Sequence, residues 1–574
     1  MSIIPKVKNE KLTGGTVCFR QVCWILPEGT EQRLTNAARE LFPEDAQGYP
    51  VRLFWEDIPD EAYRLTIQSE GAEIYACGEV GAFYAMQTLG MLHRQGGGTV
   101  PCQQISDAPD LTFRGFMLDV TRGRVPTMES LKAIVCQLAR YKINKLQIYI
   151  ENAFLFREME GVVDKDNCLT PEEFRQLDDW CYANYIELIP TFACFGHLYD
   201  LLQAPQYRHL AELAEYTPQY HYWIEKMLHH TLDVYNPDSF ALVRSLLDQV
   251  LPLFRSDTVN ICCDETFDLC SGRNRGMDPA QAYIGFVKKI SDYVKSCGKQ
   301  VQMWADIALK YPKIIPELGR DVTFLNWDYS AEPPEEGTRQ LAQAGFRQIL
   351  CPGVQSWNVF VPNIRNAEKN ITAMAVHAKK YNALGLLNTA WGDYGHICPW
   401  SGSVYGMILG AEKSWNSTEA VPDAEFRRAV CQMEFGVDAD ILNIFGEINA
   451  HDRLVWQILV RAVSGAEPEP WERECCTPEN LQSIVDACDD AERTLAAWTQ
   501  TSAVSDFLLA VEGTRHAAQL LAGILYGVSG FDAEEMCQWF DRYQINWLRE
   551  NKASELWRLA QFLKDAKIKA GYCQ

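Results

Sequence analysis

Thr258-Val-Asn-Ile-Cys-Cys-Asp-Glu-Thr-Phe-Asp268 is the stretch whose reading decides the fold. It opens as an apolar run of strand type over residues 259–263 and stops in two adjacent carboxylates, Asp264 and Glu265. A buried parallel strand with acids at its carboxyl end is where an α/β barrel places its chemistry. Neighbouring strand residues point to opposite faces, so both acids reach one site only if the strand stops there and turns. Asp268, Ser271, Gly272, Asn274 and Gly276 are loop formers that favour such a turn. The dipeptide alone decides nothing, because Asp60-Glu61 repeats it in a polar, proline-containing loop.

Outward from this strand, seven more apolar runs alternate with amphipathic helical patterns. The eight expected strands are 113–120, 145–150, 186–192, 259–263, 301–305, 322–327, 348–351 and 384–390. The helices between them have recognisable starts: Thr170-Pro-Glu-Glu173 is a capping box, and Asn236-Pro237 and Asp278-Pro279 each pair a cap residue with proline. Phe240, Val243, Leu246, Leu247, Val250 and Leu251 form one helical stripe to lay on a sheet. Eight strand–helix alternations favour a closed barrel over an open doubly wound sheet. No Gly-x-Gly-x-x-Gly follows a strand and no phosphate loop is present, so nucleotide binding loses its usual support.

Residues 1–108 alternate short strand-like runs (17–20, 51–55, 63–69, 73–76) with a helical pattern at 80–92, the reading of a small α/β domain. It closes in the turn-rich linker Ser106-Asp-Ala-Pro-Asp110. After Trp400 strand signals vanish, and helical patterns at 439–448, 452–463, 480–499, 506–526 and 553–567 imply an α-helical domain. The expected organisation is α/β: an N-terminal domain at 1–108, a (β/α)8 TIM barrel at 109–402 and a helical domain at 403–574.

The 574 residues carry 53 basic and 76 acidic side chains, a formal charge of -23 that repels phosphate backbones and anionic membranes. Nucleic acid and membrane are therefore excluded as expected partners. The start, Met1-Ser-Ile-Ile-Pro-Lys-Val-Lys8, lacks the apolar core of a signal peptide, so a cytoplasmic location is expected. The 20 cysteines read as reduced, mostly buried thiols without metal spacing, and no cofactor or metal is expected. The oligomeric state stays open, a homodimer included.

If the barrel is right, the strand ends converge on one cleft. In chain order they deliver Asp119 and Arg122; Glu151 and Asn152; Gly196-His197; Asp264-Glu265; Trp304 and Asp306; Trp327-Asp328-Tyr329; Gln355, Trp357 and Asn358; and Trp391 and Asp393 with Tyr394 and His396 behind them. Sugars present C–H faces that stack on indoles and hydroxyls that bind carboxylates, so acids beside four tryptophans suit a carbohydrate pocket. Arg122 and the acids also fit a purely structural ion-pair ring, for which Asp119 is the best candidate, and His197 suits packing as well as function.

Several of these motifs carry a resemblance. Phe113-Arg-Gly-Phe-Met-Leu-Asp-Val-Thr-Arg122, Leu138-Ala-Arg-Tyr-Lys-Ile-Asn-Lys-Leu146, Phe195-Gly-His197, Asn260-Ile-Cys-Cys-Asp-Glu265 and Trp391-Gly-Asp393 resemble glycoside hydrolase family 20, the β-N-acetylhexosaminidases. With Ser356-Trp-Asn358, they look most like its intracellular hexosaminidase D branch. The likeness spans roughly the barrel and reaches the front domain through Gly81-Ala-Phe-Tyr-Ala-Met-Gln-Thr-Leu89.

The resemblance implies exo-acting, retaining, substrate-assisted hydrolysis of terminal β-GlcNAc or β-GalNAc, in which the 2-acetamido oxygen attacks the anomeric carbon and forms an oxazolinium. Glu265 matches the general acid/base and Asp264 the acid that holds the acetamido N–H. Trp304, Trp327 and Trp391 match the indoles boxing its methyl, Arg122 the arginine on the sugar hydroxyls, and His197 the histidine coupled to the acid/base. The sequence departs from the family where a strand-seven tyrosine is replaced by Trp357 and an acid by Val359. Tyr329 and Asn358 are the candidate substitutes, and Glu151 the candidate to orient His197. Burial and the neighbouring Asp264 are expected to raise the Glu265 pKa. Two other readings stay open: a glycosidase with Glu151 or Asp306 as carboxylate nucleophile, and a non-hydrolytic amino-sugar-binding protein.

Overall fold

Six strands form the first sheet: β1 Asn9–Cys18, β2 Val22–Ile25, β3 Tyr49–Trp55, β4 Tyr63–Gln68, β5 Gly71–Ala76 and β6 Thr99–Asp107, in the order β1-β6-β4-β5-β3-β2. The computed structural model describes residues 3–213, 222–227, 230–418, 420–451, 455–467, 469–498, 501–528 and 531–572. Helix Glu79–Gln95 is buried along most of its length because one side packs on β4 and β5 while the other meets the barrel. There the buried Arg114 is held by Glu61 at 2.9 Å and by the Tyr84 hydroxyl at 2.7 Å. β1 is longer than the expected run at 17–20. It is a solvent-exposed edge strand, broken by a register shift around Gly14 and Gly15 at positive φ, so it has no alternating apolar pattern to read.

Eight parallel strands then close a barrel: β7 Phe113–Asp119, β8 Lys145–Ile150, β9 Glu187–Phe192, β10 Thr258–Asn260, β11 Gln300–Trp304, β12 Thr323–Trp327, β13 Arg347–Cys351 and β14 Gly385–Ala390. All but one match the expected runs to within a residue at each end. Their long buried side chains fill the interior, with a polar layer in which the Gln147 amide donates to Gln302 at 2.9 Å while its oxygen accepts from Asn260 and Thr191 at 3.0 Å. An apolar cluster that includes Met117, Tyr149, Ile189, Trp304, Leu325 and Trp391 fills the rest of the interior around it. The Thr170 capping box and the Asn236 and Asp278 caps start helices Pro171–Ala183, Pro237–Val250 and Pro279–Ser296 as expected. Helix Trp400–Trp415 packs against β14 and β7, so it completes the barrel although the boundary expected at 402 falls inside it.

The exception is β10, which ends at Asn260 instead of running to Cys263. Hydrogen bonds from Ile261 N–H to Gln302 (2.9 Å) and from Trp304 N–H to Cys262 (3.1 Å) prolong its contact with β11. At Cys262 and Cys263, with φ of 57° and 66°, the chain then leaves the extended region.

Helices dominate the remainder, among them Asn443–His451, Val455–Ser464, Pro478–Leu495, Ser502–Tyr526, Ala533–Glu550 and Leu556–Lys569. Residues 452–454 and 499 of the expected helices lie outside the described residues. Helix Ala533–Glu550 was not expected, yet Met536, Trp539, Tyr543 and Trp547 give it a buried stripe at helical spacing. Among the described residues no helix is long and apolar enough to cross a membrane.

Between the last two helices, residues 551–555 run across the carboxyl-end face of the barrel. Lys552 N–H donates to Val125 at 2.8 Å and Lys552 Nζ to Cys168 at 2.6 Å, Ser554 N–H donates to Asn167 at 2.7 Å, and the Ser554 hydroxyl donates to Gly123. Glu555 accepts from Trp223 Nε1 at 3.0 Å and Lys226 Nζ at 2.7 Å. The segment thereby ties down the loops that follow β7, β8 and β9.

Candidate active site

The left-handed bend that shortens β10 is what gives Asp264 and Glu265 a common destination. Glu265 itself has φ of 45°, and its N–H is held at 3.0 Å by Asp306, two residues past the β11 end. Tyr283 donates to the Cys263 carbonyl at 2.8 Å and fixes the bend from behind. Gly196 is required beside it, because a Cβ there would stand 2.7 Å from the Asp264 carbonyl. The two acids are not equivalent: the Asp264 side chain is 8% exposed and Glu265 27%, so Asp264 faces inward and Glu265 the mouth.

His197 links them, its Nε2 3.5 Å from Asp264 and 3.3 Å from Glu265. On the other side its Nδ1 is 3.4 Å from Glu151, which also takes Arg122 at 2.8 Å and the Tyr149 hydroxyl at 2.9 Å. Arg122 reaches Asp119 at 3.0 Å and Asp393 at 3.4 Å, and its guanidinium lies 5.2 Å from the Trp391 ring centre. Burial works against charge on His197, but Asp264, Glu265 and Glu151 outweigh it and hold the imidazole well above its ordinary value. Glu265 moves opposite to the expectation from sequence. Burial alone would raise it, yet the adjacent His197 and the charge of Arg122 hold its carboxyl below the usual range. The two shifts are mutual: the neighbouring carboxylates favour the charged imidazole, and the imidazolium favours the Glu265 carboxylate.

The indoles form one connected wall. Trp304 and Trp391 stand 5.8 Å apart, Trp391 donates its N–H to the Tyr329 hydroxyl at 2.7 Å, and Tyr329 stacks on Trp327 at 5.2 Å and 13°. Trp357 meets Tyr329 edge-on at 5.1 Å, in space that Gly353 leaves open: a Cβ there would lie 2.3 Å from the Trp357 ring. Asn358, at φ of 60°, is buried on the same loop with its Oδ1 unpartnered. Direct contacts thus join Arg122, Glu151, His197, Asp264, Glu265, Asp393, Trp304, Trp327, Tyr329, Trp357 and Trp391.

Asp306 sits against the Glu265 backbone, one of its oxygens accepting the Glu265 N–H. Burial, reinforced by the Asp264 charge, pushes it up to about 7. A carboxyl raised in the folded state stabilises at low pH and loses that contribution as pH climbs from about 3.9 to 7. Asp306→Asn keeps an acceptor for the Glu265 N–H. It is expected to match the wild type in denaturant unfolding near pH 4 and to exceed it by on the order of 2–4 kcal/mol at about pH 8. Curves that stay parallel over that range would show that Asp306 ionises normally. Two contributors were not found from sequence: His230, which lies against His197, and Lys226, which pairs with Asp200 at 3.2 Å and Glu555. Neither belongs to a strand end, the only positional signal available.

Residues 111–414 match the model of the glycosyl hydrolase family 20 catalytic domain, and residues 1–108 match domain 2 of the same family. The chain is a member of glycosyl hydrolase family 20. Among relatives, hexosaminidase D of Homo sapiens is 23% identical over 480 residues, 77% of this chain and 92% of that protein. A lacto-N-biosidase of Bifidobacterium bifidum is 23% identical over 363 residues, covering 58% of this chain and 28% of its own length. The chain thus spans under a third of that relative. The structure of the Flavobacterium johnsoniae chitobiase, a family 20 protein, superposes with a TM-score of 0.62 at 15% identity, covering 94% of this chain and 95% of the other. At that identity the likeness speaks for the fold.

Proposed function

We propose that this family 20 protein is an exo-acting β-N-acetylhexosaminidase that releases terminal β-GlcNAc or β-GalNAc with retention, the substrate's own acetamido oxygen being the nucleophile. The observation that carries the reading is the partnering of the acids. Asp119, Glu151 and Asp393 are drawn onto Arg122 and one oxygen of Asp306 onto the Glu265 N–H; Asp264 and Asp306 each keep one buried oxygen without a hydrogen-bond partner, and of the two it is Asp264 that also reaches His197, at 3.5 Å. A carboxylate nucleophile would have to stand about 5–5.5 Å across the sugar from the acid. Of the alternatives, Glu151 is paired with Arg122 and Asp306 holds the Glu265 N–H with one oxygen.

In the first step the acetamido oxygen bonds to C1 while the C1–O bond breaks, and Glu265 gives a proton to the departing oxygen. Asp264 accepts the acetamido N–H and stabilises the growing positive charge. Water then attacks C1, Glu265 takes its proton, and the oxazolinium reopens to the acetamido sugar. Glu265 draws the first proton from His197, and Glu151 holds that imidazole. Trp304, Trp327 and Trp391 box the methyl in a near-attack arrangement, and Arg122 and Asp393 take the sugar hydroxyls at the closed end.

Tyr329 accepts from Trp391 and keeps its own proton to give to the acetamido carbonyl, in place of the absent strand-seven tyrosine. Tyr329→Phe is expected to lower kcat by about 10–100-fold with little change in KM; an unchanged kcat would leave that role to another donor. The whole reading is tested with aryl β-glycosides of GlcNAc, GalNAc and glucose. Cleavage of the two acetamido sugars alone, blocked by a thiazoline mimic of the oxazoline, is the expected result. Comparable cleavage of the glucoside, or indifference to the thiazoline, would overturn it.

The proposed compartment is the cytoplasm, a reading supported by cysteines that are all free among the described residues. The proposed division of the chain is 1–108, a catalytic barrel ending with helix Trp400–Trp415, and the helical remainder.

A further inference from the structure

His197 has φ of 59°, a left-handed conformation that a non-glycine residue adopts only when its surroundings hold it there. What holds it is His230, 33 residues later. Its Nδ1 accepts the His197 N–H at 3.0 Å, and its ring lies flat on the His197 ring, 4.7 Å between centres and 9° between planes. The same histidine is anchored in turn, because Asp268 accepts its backbone N–H at 3.0 Å and that of Thr231 at 3.3 Å. Asp268 belongs to the loop that carries the dyad, so His230 bridges the His197 turn and the dyad loop. Accepting an N–H requires an unprotonated Nδ1, which fixes the His230 proton on Nε2.

From this geometry we infer that His230 is a positioning residue for proton delivery: it sets the angle at which His197 meets Glu265 and so governs protonation of the leaving group. The inference rests on the assignment of Glu265 as general acid. His230 is assigned no substrate contact, and its effect on the chemistry passes through His197 and the turn that carries it. It therefore predicts a defect confined to substrates whose leaving oxygen needs a proton.

The test compares His230→Asn, whose side-chain oxygen falls near the Nδ1 position, with His230→Gln, whose oxygen falls near Nε2. With a β-GlcNAc alkyl glycoside, the Gln variant is expected to lose about 10–100-fold in kcat at nearly constant KM, while the Asn variant recovers most of it. With the 2,4-dinitrophenyl glycoside, whose leaving group departs unprotonated, the gap between the two variants should close to about threefold or less. Equal losses in both variants, or a Gln defect as large on the dinitrophenyl substrate, would overturn the inference. Glu265→Gln on the same two substrates separates the layers: if it fails to discriminate between them, the fault lies in the acid assignment and not in His230.

Discussion

Glu265→Gln is expected to slow hydrolysis of a glycoside with a poor leaving group by about 10²–10⁴-fold. Glutamine matches the carboxylate in size and can accept the same contacts, but it can neither hand a proton to the departing oxygen nor take one from water. The side chain faces the mouth and, among the described residues, its ion pair is with His197, so the fold should tolerate the change. The loss should shrink on a dinitrophenyl glycoside for the first step, because that group leaves without help. It should also remove the basic partner of His197 and so lower the imidazole pKa. Wild-type turnover of an alkyl glycoside by this variant would refute the assignment outright.

Asp264→Asn should cost about 10²–10³-fold in kcat for a different reason. The inward carboxylate accepts the acetamido N–H in the ground state, but its charge matters most once the oxazolinium becomes cationic. A neutral amide keeps one acceptor and loses that charge. Affinity for a thiazoline, which resembles the intermediate, should therefore fall by a factor similar to the fall in kcat/KM. If kcat drops while thiazoline affinity holds, Asp264 acts on another step, and the self-attack of the substrate loses its main support.

Much of this was legible in the amino acids because barrel strands are short, apolar and end where the chemistry begins. Apolar runs bounded by turn formers located all eight, and the residues just beyond them supplied nearly every member of the cluster. What remained hidden depends on distance in the chain or on sign. The left-handed bend at Cys262, Cys263 and Glu265 involves residue types with no preference for it, imposed by the Asp306 and Tyr283 contacts. His230 falls in a loop, where no periodicity marks it. The direction of the Glu265 shift could not be read from its neighbour Asp264, since His197 and Arg122, far away in sequence, decide it. β1 was misjudged because an exposed edge strand needs no apolar alternation. Helix Ala533–Glu550 did carry its signal, in an aromatic stripe that polar neighbours obscured.

The tethers made by Lys552, Ser554 and Glu555 bear on how this architecture can be inherited. They reach three separate loops of the barrel face, one of them at Gly123, a single residue after Arg122. The helical remainder is thus no detachable passenger: a lineage that shed it, or exchanged it for another module, would have to rebuild the rim of the cleft at the same time. Such a protein should vary freely at its solvent-facing helices while the short crossing between the last two stays nearly immovable.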